Sequence, residues 1–441
     1  MTDSATCAPA ADRLLEAVEL HRRGQGLAAE PIYLELLAAE PGHPDALHYL
    51  GLLRHQQGRD AEALDLIGQA LKRAPRYTDA WNNLGNVHLR AGRLPEAEAA
   101  YRAALECDDE HAGAWNNLGL TLRARGLYAD SAEAYAKLAS LAPDFAEAHY
   151  QLGLMLRHTG TLASVLDAFR RCIEIDPTHA RAHYQCGYML YVCGHHEQAA
   201  GVFRQWLAFE PANPVARHML AACSGEDVPE RAADDYVKRT FDDFADSFDE
   251  VLLEKLDYHA PDLLAARLAA DLGEAQAVRV VVDAGCGTGL CGPWLKPYAQ
   301  RLIGIDLSPG MLRKADARGA YDRLYEAELT RFLATYPAAF DVIVSADTLC
   351  YFGALEEFAA AARRSLKAGG WLGFTVERLD DDNPEPYRIR PHGRYAHRGD
   401  YVQATLAAAG FSGLSLEPGV LRMELSHPVQ GWVVRARVGD A

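Results

Sequence analysis

The chain lacks several features that would define whole classes of protein. None of its apolar runs reaches the 18 residues that suggest a membrane span, so a membrane-spanning helix is not expected. Its N-terminus, MTDSATCAPAADRLLEAVEL, has no basic start followed by an apolar block, so a signal peptide is not expected either. The nine cysteines are scattered and include no C-x-x-C pair. This pattern fits reduced thiols in a cytoplasmic protein and predicts no metal site.

Basic residues are also scarce relative to acidic ones. Lys and Arg number 44 against 61 Asp and Glu, which gives a net charge of −17. Such a surface repels phosphate backbones and anionic headgroups, so nucleic-acid and membrane partners are not expected. A length of 441 residues predicts two or three domains. The composition leaves the oligomeric state open.

A repeat with a period of 34 residues fills the first half of the chain. The residues AWNNLG occur at 80–85 and again at 114–119, and a Leu-Gly pair recurs at 50–51, 84–85, 118–119 and 152–153. Proline closes the unit at Pro41, Pro75, Pro143, Pro177 and Pro211. The pattern resembles the tetratricopeptide repeat, which folds as a helix pair. We count six units starting near positions 10, 44, 78, 112, 146 and 180, and they predict an all-α superhelix.

One position of the repeat carries an amide in four successive units. The residues are Asn83, Asn117, Gln151 and Gln185. An amide offers a donor and an acceptor together, which suits contact with a peptide backbone. In members of the tetratricopeptide family that bind extended peptides, amides at this position make that contact. The resemblance therefore implies a protein or peptide partner in the groove, although solvated polar positions on a helix would give the same pattern.

The second half opens with a strand and a glycine-rich turn. Residues 278–289 read VRVVVDAGCGTG, in which a buried strand ends at Asp283 and a turn follows. Its glycines, Gly285, Gly287 and Gly289, let the backbone approach a ligand closely. A dinucleotide site would need glycine at 290, where this chain has Leu290. The stretch resembles motif I of class I S-adenosylmethionine-dependent methyltransferases, in which the acid faces the cationic amino-acid end of the cofactor.

Later segments extend this resemblance in the right order. RLIGIDLSPGML ends a second strand at Asp306, where such folds bind the ribose hydroxyls. LYEAELTRFL carries Glu328, which matches the acid that binds the adenine amino group. FDVIVSADTLCYF is a fourth strand ending near Asp347 and Tyr351, GGWLGFTVE a fifth, and FSGLSLEPGVLRMEL and HPVQGWVVRARV the last two. The resemblance implies an α/β Rossmann-like domain that binds S-adenosylmethionine through Asp283, Gly285, Cys286, Gly287, Gly289, Asp306, Leu307, Met311, Glu328 and Asp347.

Two further segments are candidates for contact with the methyl acceptor. An amphipathic stretch from residue 234 carries Phe241 and resembles the helix that covers the cofactor cleft in many methyltransferases, although packing alone also explains it. The insert RLDDDNPEPYRIRPHGRYAHRGDYV is expected to form a loop over the carboxyl ends of the strands. It supplies Arg394 as an acceptor contact and His397, then Tyr395, as general base. Tyr351 or Asp347 would orient the acceptor. The alternative for His397 is a loop histidine that only forms hydrogen bonds with the backbone.

These patterns divide the chain into four segments. We expect a frayed tail at 1–9, six repeats at 10–213, a capping helix and linker at 214–233, and a methyltransferase domain at 234–441. The leading hypothesis is a methyltransferase whose repeats capture a protein or peptide acceptor. The alternatives are a small-molecule methyltransferase that the repeats dock to a partner, and an adaptor that binds the cofactor without turnover.

Overall fold

The computed structural model describes residues 10–245, 248–250, 256–424 and 427–440. The predicted tail at 1–9 lies outside these residues. The chain forms two compact units that divide after Cys186. A helical array of repeats precedes a domain with a mixed sheet, so the predicted fold class is confirmed.

The array consists of helix pairs. The first helices are α1 (Ala10–Arg22), α3 (Pro44–Gln56), α5 (Thr78–Arg90), α7 (Ala112–Ala124), α9 (Ala146–Thr159) and α11 (Ala180–Val192). The second helices are α2 (Gly26–Ala39), α4 (Asp60–Arg73), α6 (Leu94–Cys107), α8 (Tyr128–Leu141), α10 (Leu162–Ile175) and α12 (His196–Phe209). A further helix, α13 (Pro214–Ser224), follows them. The division between the units falls inside α11, so α12 and α13 group with the C-terminal unit.

Close approach of the two helices in each pair explains why the repeat contains glycine. A Cβ atom on Gly85 of α5 would lie 2.5 Å from the ring of Tyr101 on α6. The same conflict recurs between Gly119 and Tyr135, between Gly153 and Phe169, and between Gly187 and Phe203. Tyr101 also packs in one cluster with Leu118 and Leu122 of the next pair. The large side chain therefore packs within its own helix pair and also against the next repeat.

The C-terminal domain alternates helices and strands. Its helices are α14 (Asp234–Phe244), the single turn α15 (Phe248–Glu250), α16 (Ala260–Leu272), α17 (Gly292–Leu295), α18 (Pro309–Ala317), α19 (Leu329–Thr335), α20 (Glu356–Ser365) and α21 (Gly399–Ala408). Its strands are β1 (Arg279–Ala284), β2 (Ala299–Asp306), β3 (Arg323–Glu326), β4 (Phe340–Ser345), β5 (Leu366–Arg378), β6 (Tyr387–Ile389), β7 (Tyr395–His397), β8 (Phe411–Glu424) and β9 (His427–Val438).

Five parallel strands form the centre of the sheet in the order β3-β2-β1-β4-β5. β9 runs antiparallel to β5, and β8 pairs with β9. The carboxyl ends of the parallel strands share one edge, where ligands bind in folds of this kind. Both faces are covered, since Val281 and Leu302 pack against α16 on one side and Val282 and Ile343 face the other core.

The insert after β5 is a hairpin and not only the loop expected from its Pro and Asp content. β6 pairs with β7 antiparallel, and β7 adds to the carboxyl end of β5 at Glu377 and Arg378. Gly393 makes the turn at φ +85°, a left-handed conformation that favours glycine.

None of the helices in these described ranges combines the length and the apolar character that a bilayer crossing requires.

Candidate functional site

The three glycines after β1 adopt left-handed conformations for different reasons. Gly285, Gly287 and Gly289 have φ values of +78°, +53° and +88°. A Cβ on Gly285 would lie 2.2 Å from Thr348 Oγ1, so this glycine is needed for packing inside the protein. Among the residues that the structure describes, the nearest atom to a Cβ at Gly287 is Phe248 Cε1, 4.0 Å away. Gly287 therefore faces space in which a ligand can lie against the backbone.

Two buried carboxylates flank this turn at the ends of neighbouring strands. Asp283, which is 1% exposed, accepts a hydrogen bond from the Tyr321 hydroxyl at 2.6 Å. Burial, with repulsion from Asp306, raises the pKa of Asp283 to about 7. Asp306 accepts from the N–H groups of Gly287 and Ser308, each at 2.9 Å, and burial raises its pKa as well. Because these partners are neutral, a cationic ligand beside the two acids would gain electrostatic stabilisation.

Helices α14 and α15 are anchored across the turn by two further acids. Asp242 of α14 accepts a hydrogen bond from the hydroxyl of Ser308, the residue that caps α18, at 2.6 Å. Asp249 of α15 bonds to the Thr288 hydroxyl and to Arg318. These contacts place both helices beside the glycine-rich turn, as the resemblance implied for a covering segment.

The aromatic face of α14 meets Tyr351. The ring of Phe241 lies edge-on to Tyr351 at 5.5 Å between centroids and to Phe248 at 5.9 Å. Tyr351 is 9% exposed. The structure therefore brings together Phe241 and Tyr351, two residues predicted to contact the acceptor, near the carboxyl end of β4.

The other residues predicted to bind cofactor lie near this edge but have mainly structural contacts. Cys286 is 7% exposed, its N–H donates to Ile305 O at 2.9 Å, and burial raises the pKa of its thiol. Leu307 is half-buried directly after Asp306, and Met311 is 1% exposed in the first turn of α18.

Glu328 is occupied with local structure. Its two oxygens accept from the N–H groups of Thr330 and Arg331 at 2.9 and 2.8 Å and cap α19, and Arg231 bonds to it at 2.6 Å. Glu326, which ends β3 directly opposite Asp306 in the register, is exposed and pairs with Lys238. Its position at a strand end makes Glu326 a candidate for this edge of the sheet, and it was not selected from the sequence.

An ionic cluster that the sequence only partly predicted lies beyond the ends of β4 and β5. Its members are Asp347, Glu377, His392, Arg394, Arg422 and Glu424. Arg422 Nη1 donates to both carboxylate oxygens of Asp347, at 2.7 and 2.8 Å, and its Nη2 donates to Glu377. Arg394 Nε donates to Glu377 at 2.9 Å. Sequence reasoning found Asp347 and Arg394. The signal for Glu377, Arg422 and Glu424 is charge inside the apolar strands β5 and β8, whereas His392 lies in the turn between β6 and β7.

Asp347 itself has an uncommon backbone conformation for a residue with a side chain, with φ at +53°. The bidentate contact with Arg422 and a hydrogen bond from its N–H to Thr375 Oγ1 at 2.9 Å hold it there. Strained residues of this kind concentrate at functional sites.

His397 and Tyr395 lie in the core of the hairpin. The His397 ring is fully buried, its Nε2 donates to Gly353 O at 3.0 Å, and burial lowers its pKa to about 4. Tyr395 is also fully buried and donates to Pro229 O at 2.6 Å. Both side chains thus bond to backbone carbonyls, which matches the alternative interpretation of His397.

The amides of the repeat array bond to neighbouring side chains. The contacts are Asn83 with His48, Asn117 with Asn82 and Asn86, Gln151 with Arg123 and Glu147, and Gln185 with Arg157. These residues lie on first helices, and successive first helices from α1 to α7 contact one another. The amides therefore contribute to an inner polar network, with part of their bonding capacity already used.

Comparison with known proteins identifies both halves of the chain. Residues 282–374 match the family model described as a methyltransferase domain, and residues 14–70, 61–112 and 116–180 match the tetratricopeptide repeat. The chain thus carries tetratricopeptide repeats followed by a methyltransferase domain, and the resemblance stated from its motifs is confirmed.

Curated relatives match the C-terminal half. Methyltransferase-like protein 27 of Homo sapiens is 38% identical over 85 residues, which cover 19% of this chain and 34% of that protein. Ubiquinone biosynthesis O-methyltransferase of Burkholderia thailandensis is 31% identical over 22% of this chain and 43% of its own length. Demethylmenaquinone methyltransferase of Thermus thermophilus is 33% identical over 30% and 61%. The chain spans less than two thirds of the length of each of these relatives.

Proposed function

We propose that the protein is an S-adenosylmethionine-dependent methyltransferase. The observation that carries the proposal is the open face of Gly287 between two buried carboxylates, Asp283 and Asp306, that have neutral partners. This arrangement fits a ligand that is positively charged at one end and has ribose hydroxyls at the other. S-adenosylmethionine supplies a methyl group that is already activated as a sulfonium.

The residues of this chain then bind the cofactor, orient it and shield it from water. Asp283 balances the cationic amino-acid end, and Asp306 accepts from the ribose while it fixes the Gly287 N–H. Leu307 and Met311 border the adenine side. Phe241 and Tyr351 close the acceptor side against water, which strengthens the electrostatic interactions inside. We assign no proton transfer to His397, because its ring is fully buried: Nε2 donates to Gly353 O, and Nδ1 is closed off from solvent.

The acceptor that we propose is a protein or peptide captured by the repeats. Repeat arrays of this type present extended surfaces to polypeptides, and the amide column lies on their first helices. A small-molecule acceptor is the second candidate, with the repeats docking a cytoplasmic partner. Two observations favour it: the amides are bonded to neighbours, and the named relatives include enzymes of ubiquinone biosynthesis and of demethylmenaquinone methylation.

Gly287→Val tests the cofactor site. The new side chain would enter the open space, so we expect S-adenosylmethionine affinity in isothermal titration to fall at least about tenfold, from steric exclusion alone. Gly319→Val is the matched control, since Gly319 has a similar φ of +68° and also has no atom near its Cβ position. Both variants carry the same backbone strain, and they differ only in location. Equal affinities in the two variants would refute the assignment of the cofactor site.

A further inference from the structure

We propose that the ionic cluster is the acceptor site and that it takes an amine, whose nitrogen receives the methyl group. The inference rests on the proposed methyltransferase function and adds the chemical class of the acceptor.

The cluster is built like a pocket with a floor and a rim. Glu377 and Arg422 are 1% and 2% exposed and form the floor. The side chains of Asp347, His392, Arg394 and Glu424 are between 15% and 25% exposed and form the rim. The partial exposure of these four side chains makes the cluster accessible from solvent.

One acceptor atom on the floor lacks a hydrogen bond. Glu377 Oε2 is buried and has no hydrogen-bond partner among the residues that the structure describes. His392 Nε2 lies 3.5 Å from this oxygen, longer than the usual N–H···O distance. His392 Nδ1 accepts from the Arg394 N–H, so Nε2 carries the proton of the neutral ring. A buried carboxylate oxygen in this state favours a ligand with an N–H group.

The net charge of the cluster also favours an amine ligand. It holds three carboxylates against two guanidinium groups, and burial lowers the pKa of His392 to about 4, so the ring is neutral. Burial alone would raise the pKa of Glu377. His392, which is protonated at the low pH where Glu377 titrates, lowers it together with Arg394 and Arg422 to about 2. Burial also raises the pKa of Asp347, but Arg422, which bonds to both of its oxygens, favours the ionised form. Glu377 is therefore an ionised acceptor at neutral pH, and the site carries a net negative charge.

Methyl transfer to nitrogen moves positive charge toward this site. The bound ammonium first loses one proton to water. The neutral amine then gives its lone pair to the methyl carbon while the carbon–sulfur bond breaks and its electron pair stays on sulfur. The sulfonium becomes a neutral thioether, and the amine becomes an ammonium that later loses its proton to water. Interactions that strengthen as charge develops lower the barrier, so a net negative acceptor site suits an amine.

Neighbouring residues shape and hold the cluster. Burial raises the pKa of Tyr191 to about 12. Tyr188 and Glu424 raise it as well and Arg394 lowers it, so Tyr191 lies near the rim. His218 of α13 is 4% exposed and donates to Gly393 O at 2.7 Å, which fixes the turn that carries Arg394. Aromatic rings beside carboxylates are a common environment for amine groups.

The test uses the full chain and three probes that differ in one group: phenethylamine, 2-phenylethanol and phenylacetate. Titrations are run with and without saturating S-adenosylhomocysteine, because the amine has a second carboxylate available at Asp283. We expect phenethylamine to bind at least about tenfold tighter than the other two, since a hydrogen bond to a charged group is worth that much. Tighter binding of phenylacetate would overturn the proposal.

Glu377→Gln locates the binding. We expect it to weaken phenethylamine about tenfold. The control Glu417→Gln changes a β8 carboxylate that pairs with Arg267 and Arg435 outside the cluster, and it should leave binding unchanged. Unchanged phenethylamine affinity in Glu377→Gln would mean that the cluster is structural only. If circular dichroism shows that this variant does not fold, Glu424→Gln at the rim replaces it, with an expected loss of about threefold.

S-adenosylmethionine affinity, measured in parallel, separates the two proposals. If the wild-type protein binds S-adenosylmethionine but no amine, the acceptor inference fails alone. If it does not bind S-adenosylmethionine, the methyltransferase proposal fails.

Discussion

The pKa of Asp283 makes S-adenosylmethionine affinity depend on pH in a defined direction. Because that pKa is about 7 in the free protein, Asp283 is about one-tenth ionised near pH 6 and about nine-tenths ionised near pH 8. A cationic ligand binds the ionised form. We therefore expect affinity to fall about tenfold between about pH 8 and about pH 6, and binding near pH 7 to release about half a proton.

The same group affects stability with the opposite sign. Its folded pKa, about 7, lies above the value of 3.8 expected when it is exposed. Its contribution to stability is thus present below about pH 4 and is lost as the pH rises through 7. The difference between these pKa values corresponds to about 4 kcal/mol. Asp283→Asn should therefore raise the melting temperature of the ligand-free protein at about pH 8 while it abolishes the acidic loss of affinity.

Isothermal titration in buffers of different ionisation enthalpy measures both the affinity and the protons released, and differential scanning calorimetry measures the stability. The amino group of the ligand titrates near pH 8, so the comparison of wild type with Asp283→Asn isolates the protein's own group. Affinity that is constant from pH 6 to pH 8 in the wild type, or an equal slope in Asp283→Asn, would refute the reasoning.

Two further predictions concern the repeat array. Gly85→Ala places a methyl group 2.5 Å from Tyr101 and should destabilise the protein by about 1–3 kcal/mol in urea unfolding. The control Gly68→Ala lies mid-helix, with no described atom within 4 Å, and should stabilise the protein by about 0.5–1 kcal/mol. Equal effects would contradict the packing argument. Asn117→Ala should raise KM for a polypeptide acceptor about fivefold at unchanged kcat, since it removes about one hydrogen bond to the acceptor. The control Gln69→Ala on α4 should leave KM unchanged. An unchanged KM in Asn117→Ala would favour the small-molecule acceptor.

Patterns with a fixed period or a strand end were predictable from the sequence. The helix starts at Ala10, Pro44, Thr78 and onward follow the 34-residue period, and in four of the repeats the recurring glycine packs against a large ring. Asp283 and Asp306 were found because parallel strands end at one edge of the sheet.

Contacts between residues distant in sequence were not predictable in the same way. Arg422 meets Asp347 across 75 positions, and only the folding of β8 and β9 onto β5 brings them together. The same holds for His397, whose partner Gly353 lies 44 positions earlier. The sequence placed this histidine on a loop as a candidate base, whereas in the structure it lies in a buried hairpin strand.

The position of α13 connects the array to the chemistry of the second unit. By sequence, α12 belongs to the sixth repeat and α13 caps it, but by packing both belong to the unit that contains the sheet. His218 of α13 holds the Gly393 turn, and Arg394 follows that turn directly into the ionic cluster. The contact between His218 and Gly393 therefore supports the position of Arg394 beside Glu377. The end of the array thus has two functions, since it terminates the repeats and supports one wall of the site proposed to receive the acceptor.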